Sequence, residues 1–337
     1  MNKIITILFL TGLVFACKPK SEDIQPIVEV KCKKLTYTIF NSKTNQLLGK
    51  ITYIYDKTDK LIEVQGSNGN SSKYEYDAQD NLLKVTDYSK NQGFETKTSE
   101  TLYTYNTANQ IIRWVTNTIS DQIRTEKKSE YLYEYHANGK LKKWTWFDYT
   151  MVYNKPYIVT EHDENGNEIS TTFHDGFHIK KEYNAANLII KSTDYDDANN
   201  ATYETLFEYN SQNKCIKRST YHNGVLSSYT TYEYNAKGQQ ISFAIYKANG
   251  ALSMREIKEY KGESFTISNY DDQNKLTSYS TIEVQNGLMM KDSFYRDNKL
   301  VFYTIYAYDI HKNMLKQEEF NEALEEPLRR EWTYQCD

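Results

Sequence analysis

The sequence predicts an all-β fold, a long antiparallel meander of hairpin repeats that coils or curls on itself. Three observations carry this expectation. A Tyr-x-Tyr-(Asp/Asn)-x-x-(Asp/Asn/Gly)-x-(Leu/Ile) unit recurs along almost the whole chain. Turn signals fall roughly every 12 residues, with strand-like stretches of about 8 between them. The four prolines, at positions 19, 26, 156 and 327, leave few ladders to interrupt.

Taken in order, the second aromatic slot of the unit holds Tyr55, Tyr76, Tyr105, Tyr135, His162, Tyr183, Tyr209, Tyr234, Tyr260, Val284, Tyr308 and Tyr334. A spacing of about 25 residues lies inside the window of repeat arrays, so residues 32–337 read as one domain of about 12 units. Tyrosines at i and i+2 share a strand face, and Tyr, Val, Ile, Thr and Phe suit a pleated, half-buried surface. The residue after the slot is Asp56, Asp77, Asn106, Asp163, Asn184, Asn210, Asn235 or Asp309, types whose side chains open turns by bonding their own backbone. Three residues further on stand Asp59, Asp80, Asn109, Gly139, Gly166, Asn187, Asn213 and Gly238. These tolerate the left-handed conformation that ends a type I hairpin turn. Looser turns separate the units, at 67–70, 90–93, Asp175-Gly176, Asn223-Gly224, Asn249-Gly250, Gln273-Asn274 and Asp297-Asn298. The unit is degenerate around 157–175 and 260–295. A longer connection over 321–330 precedes an expected last strand from Glu331 to Gln335, because Pro327 cannot sit in a central strand.

Composition fits a sheet wet on at least one face. Hydrophobic residues make up 39% and charged residues 26%, and 31 tyrosines supply much of the apolar area as rings with a polar tip, which excludes a thick aliphatic core. A net charge of −4 with interspersed signs provides no basic stripe for phosphates, so no nucleic-acid partner is expected. A membrane-spanning barrel needs one face apolar throughout. Lys73, Glu75, Glu134, Glu208 and Glu233 interrupt one face while Lys and Asp recur on the other.

Residues 1–16 read as a signal peptide, with Lys3 before an apolar stretch from Ile4 to Val14. Leu13-Val14-Phe15-Ala16-Cys17 resembles a bacterial lipobox, which implies cleavage before Cys17 and lipidation of its thiol, with residues 17–31 as a tether. Ser21-Glu22-Asp23 resembles the acidic export signals of surface lipoproteins in the Bacteroidetes. The expectation is a lipid-anchored protein of the cell envelope, in the outer membrane and displayed on its surface. Three cysteines then remain. Cys215 sits in the Leu/Ile slot of a unit and reads as a small core hydrophobe. In an oxidising compartment Cys32 and Cys336 are the candidate disulfide pair, the alternative being two thiols at opposite ends of an open ribbon. Twenty-odd strands about 4.8 Å apart span roughly 100 Å, whereas bridged Cα atoms lie within about 7 Å, so a bond requires the sheet to curl until its ends meet.

The segments Tyr53-Ile54-Tyr55-Asp56-Lys57-Thr58-Asp59-Lys60-Leu61 and Tyr74-Glu75-Tyr76-Asp77-Ala78-Gln79-Asp80-Asn81-Leu82 resemble the YD repeat of the rearrangement-hotspot (RHS) and teneurin families, over roughly residues 50–334. The resemblance implies a long β-sheet coiled into a spiral, which in the large members forms a hollow shell around a toxin. For the shorter array here the implied feature is the curl.

Two clusters are candidate sites. Trp114 and Trp144 each fall nine residues after their slot, and Trp146 lies two beyond, so all three share a face with Phe147 opposite. Rings in such a row suit a sugar-stacking platform; the alternative is cross-strand aromatic pairing that stabilises the sheet. His174 and His178 flank Gly176, with His162 on a neighbouring strand, an arrangement that either holds a transition metal or leaves solvated turn histidines. No Gly-x-Ser-x-Gly elbow, phosphate-cradling loop or Cys-x-x-Cys pair occurs, and nearly every prominent Asp or Asn is accounted for by a turn. The expected function is therefore a non-catalytic binding or structural module, without cofactor, presenting an aromatic β-surface to a polysaccharide or protein partner. The alternatives are a scaffold or immunity-like partner of an RHS-type toxin and, third, a glycan-active enzyme.

Overall fold

The computed structural model describes residues 32–336 except 92, 121–123, 152–154 and 322–326; the expected signal peptide over 1–16, Cys17 and the expected tether lie outside the described residues. The described residues form 24 strands, from Cys32–Asn41 to Leu328–Cys336, each antiparallel to the next. The first strand also pairs with the last, from Cys32 opposite Cys336 to Asn41 opposite Leu328, so the curled sheet is a closed ring of hairpins.

The hairpin at Asp77 shows how the sequence makes each corner. The Asp77 carboxylate accepts the backbone N–H groups of Gln79 at 2.9 Å and Asn81 at 2.8 Å. The backbone N–H of Asp80 donates to the Asp77 carbonyl, and Asp80 takes φ 68°. A type I turn closed by a left-handed residue forces a one-residue bulge, which falls between Glu75 and Tyr76. The same bonds recur at Asp56, Asn106, Asp163, Asn184, Asn210, Asn235 and Asp309. Positive φ appears three residues after each of them, at Asp59, Asn109, Gly166, Asn187, Asn213, Gly238 and Lys312.

Three local expectations change. After Tyr260 and Val284 the chain turns on two residues, at Gly262-Glu263 and Asn286-Gly287, because no Asp or Asn follows the slot to organise the longer corner. Gln273-Asn274 belongs to a full corner in which Asp271 accepts from Gln273 and Lys275. The last strand begins at Leu328 and not at Glu331, since Phe40 and Ile39 of the first strand give Arg329 and Arg330 ladder partners. Pro327 stays outside that strand, and its carbonyl accepts the Ser42 backbone N–H.

The second tyrosine of the unit has a role beyond packing. The hydroxyls of Tyr76, Tyr105, Tyr135, Tyr183, Tyr209, Tyr234 and Tyr260 each donate to the carbonyl of the Leu/Ile-slot residue one hairpin earlier, at 2.7–3.2 Å. Tyr55 makes the same bond to Lys34 of the first strand at 2.9 Å. Lys34 thus occupies the Leu/Ile slot of a hairpin whose other half is the last strand, with Tyr334 opposite it and the usual one-residue shift beside it. The twelfth hairpin is split between the chain ends. Where its turn would be, Cys32 and Cys336 are joined by a disulfide, with Cα atoms 4.1 Å apart.

Among the described residues, each strand approaches only its two ladder neighbours. Among the described residues only Ser293 falls below 2% exposure, whereas a second packed layer would bury large apolar side chains completely. The ring is therefore a single layer around open space, with a perimeter of about 115 Å at the usual strand spacing. Stability comes from the ladder and from same-face neighbours.

Candidate functional site

The two faces of the sheet differ in chemistry. One carries the tyrosine doublets together with Val64, Val85, Trp114, Trp144 and Trp146, as the cross-strand register shows. The other carries cross-strand ion pairs such as Lys84–Glu75 at 2.5 Å and Lys217–Glu208 at 3.3 Å. On this charged face a small residue four positions after the Leu/Ile slot is buried: Thr86, Val115, Thr145, Thr193, Ser219 and Ala244. Lysine or arginine stems and tyrosine rings cover them, as where Lys73 lies 4.4 Å from the Tyr88 ring and Arg255 5.1 Å from Tyr270.

The three tryptophans lie together on the tyrosine face, with Phe147 opposite. Tyr103, Trp114, Tyr131 and Trp146 stand directly across successive strands, with ring centroids 5.7, 4.8 and 5.8 Å apart. Tyr157 and His174 extend the row at 4.8 and 4.5 Å. Trp144 sits beside it, 6.4 Å from Tyr131. Each ring is half-buried against its neighbours, so the row is a ladder of cross-strand contacts with one edge open. Buried Nε1 atoms of Trp114 and Trp146 have no hydrogen-bond partner.

The histidines do not converge. His174 stacks on Tyr157, whereas His178 stacks on Tyr195 at 4.7 Å on the charged face, paired opposite Thr172. The Phe173–Phe177 corner directs the two imidazoles into different rows. His162 fills an aromatic slot, its carbonyl bonded by His136 and its imidazole held below its ordinary value by burial. Among the described residues no three metal-ligating side chains come together.

Glu130 is the most strongly perturbed acid. Burial alone would raise its carboxyl, but hydrogen bonds from Lys127, Tyr149 and Arg113, at 2.5, 2.7 and 2.6 Å, outweigh this and hold it at about 2. It lies opposite Val115 and Phe147 on the charged face, at the centre of a cluster of ion pairs with Arg113 and Lys127.

A cavity of about 530 Å³ opens on the tyrosine face beside the seam of the ring, lined by residues of the first six strands. Its floor is Gly49 and Gly66, and Gly66 stands where the equivalent slots of other units carry Asp87, Thr116 and Trp146. The missing side chains were the signal for it in the sequence.

The RHS repeat family profile matches residues 55–89, the hairpins built around Asp56 and Asp77. No curated protein matches the chain in sequence. Among solved structures, TcdB2-TccC3 without its hypervariable C-terminal region aligns over 84% of this chain at 13% identity and a TM-score of 0.43; this chain spans 16% of that one. A porin-like protein from Bacteroides uniformis aligns over 67% of this chain and 91% of its own, at 11% identity and a TM-score of 0.32. One from Bacteroides vulgatus aligns over 90% and 98%, at 8% identity and a TM-score of 0.24.

Proposed function

We propose that this protein, an array of RHS-type repeats, is a non-catalytic binding module of the cell envelope, anchored through lipid on Cys17 and holding a polysaccharide on its tyrosine face. The observation that carries the reading is the single-layer ring. Among the described residues its aromatic rings are half-buried against one another and meet no second layer, which leaves apolar ring edges for a partner, while the hydroxyls whose protons are bound to carbonyls keep lone pairs to accept from it. A saccharide offers that mixture, with C–H faces for the rings and hydroxyls for the polar tips. The turn carboxylates are engaged by backbone N–H groups, and Glu130 is held ionised by cations, which fits binding without turnover.

Affinity electrophoresis of the full chain in gels cast with xylan, mannan or soluble starch tests this. The expected result is retarded migration in at least one gel with polymer length unchanged. Shortened polymer would make the protein an enzyme, and unretarded migration in every gel would remove the glycan reading. Mass spectrometry of the mature N-terminus tests the anchor: an acylated Cys17 is expected, and an unmodified Cys17 or a start elsewhere contradicts it.

A further inference from the structure

The cavity at the seam is a more selective feature than the tryptophan row, because it interrupts the repeat while the row continues it. Two adjacent rows of the tyrosine face build it. Tyr37, Ile51 and Gly66 stand across the first three strands, and Val64, Ser72, Asp87 and Ser99 stand across the third to the sixth. Ile39 lies opposite Gly49. Where both rows would carry side chains, Gly49 leaves a hole walled by Tyr37, Ile39 and Val64, while over Gly66 the Asn68 carboxamide oxygen fills the place of a Cβ and faces the same space. Tyr37 is fixed from behind by Trp332 of the last strand, with centroids 5.3 Å apart. Ring closure thus positions one wall.

The polar group in the hole is Asp87. Its two carboxylate oxygens accept the Ser72 hydroxyl at 2.6 Å and the Ser99 hydroxyl at 2.5 Å. Among the described residues no lysine or arginine lies within ion-pair distance of it. Two hydroxyl donors hold the carboxylate in one orientation and leave lone pairs for further donors. Asn68 and Asn70 lie on the rim, with Ser89 and Thr98 nearby. A fixed aromatic wall, an oriented acceptor pair, carboxamides and a volume inside the roughly 300–1,000 Å³ range of small-molecule sites form one constellation.

We propose that this cavity is a saccharide subsite that takes a neutral pyranose unit, the sugar's C–H face on Tyr37 and its hydroxyls donating to Asp87. The proposal rests on the glycan-binding reading above and gives it a location. An oxygen-rich neutral ligand supplies donors to Asp87 and acceptors to the rim carboxamides together. Anionic sugars are disfavoured by the carboxylate.

Calorimetry of the full chain in mild detergent, with xylohexaose, mannohexaose and maltohexaose as probes, tests it. Wild type is expected to bind at least one probe. Asp87→Asn removes the charged acceptor, and Gly49→Leu fills the cavity from a strand position whose added Cβ would find its nearest neighbour only at 4.0 Å. Each is expected to weaken binding about tenfold or more, since lost charge-assisted hydrogen bonds or displaced ligand exceed about 1.4 kcal/mol. Trp114→Ala/Trp144→Ala is expected to change it less than about twofold. If the tryptophan variant abolishes binding while both cavity variants keep it, the subsite is overturned and the glycan-binding reading survives. If wild type binds none of the three, both fall. Unchanged circular dichroism and melting of each variant make loss of binding attributable to the site.

Discussion

At the scale of single residues, the hydroxyl of the second tyrosine and the carboxylate of Glu130 are the groups whose chemistry cannot be replaced by shape alone. Tyr183 donates to the Glu168 carbonyl at 2.8 Å, and burial, followed by the carboxylates of Glu168 and Asp163, pushes its phenol up to about 12. A raised phenol contributes stability that is complete below about pH 10 and is lost as pH rises through the folded value. Tyr183→Phe is therefore expected to cost about 1 kcal/mol near pH 7 and to flatten the alkaline loss of stability between pH 10 and 12, measured by urea unfolding. Glu130 behaves in the opposite sense. Its carboxyl is held at about 2 against an ordinary 4.5, so its contribution is present above that ordinary value and is lost as pH falls toward 2. Glu130→Gln should destabilise by about 2 kcal/mol at pH 7, with the gap to wild type closing between pH 4.5 and 2. A gap independent of pH would contradict the assignment of that cluster.

At the scale of the element, the hairpin corner carries the fold. Asn109 holds φ 58° where the ladder restarts, and its backbone N–H bonds Asn106 at 3.0 Å. Asn109→Gly is expected to be close to neutral and Asn109→Val to cost about 1–2 kcal/mol, because a β-branched residue is strained in the left-handed region. Equal melting temperatures for the two variants would show that the corner does not need that conformation. These corners were legible in the sequence because Asx and Gly types report backbone geometry directly, and the tryptophans' common face followed from period two. The tyrosine hydroxyl bonds were not legible, since a ring at a half-buried strand position looks alike whether its tip is bonded or wet. The tight Gly262-Glu263 turn and the full Asp271 corner were not legible within a stretch where the unit is degenerate, because the Asp that organises the second corner follows Tyr270, outside the repeat phase. The separation of His174 from His178 likewise depended on which side of the Phe173–Phe177 corner each ring stacks.

At the scale of the whole molecule, closure distinguishes a ring from a ribbon. Curling was readable from the family resemblance, but the split hairpin required the register of the first strand, in which Lys34 takes a Leu/Ile slot despite its charge. The Cys32–Cys336 bond closes a loop of 304 residues, so its removal in Cys32→Ser/Cys336→Ser is expected to cost about 2–5 kcal/mol while the remaining seam ladder keeps the β-rich circular dichroism spectrum. A permuted chain in which an Asp-x-x-Gly corner joins residue 336 to residue 32 should recover that loss in reducing buffer, because it restores the turn for which the disulfide stands. The most direct test of the closed ring is a peptide map of the native full chain, alkylated and digested without reduction. The account predicts a single cross-linked peptide pair containing Cys32 and Cys336; alkylation of both cysteines in the folded protein, with no such pair, would contradict it.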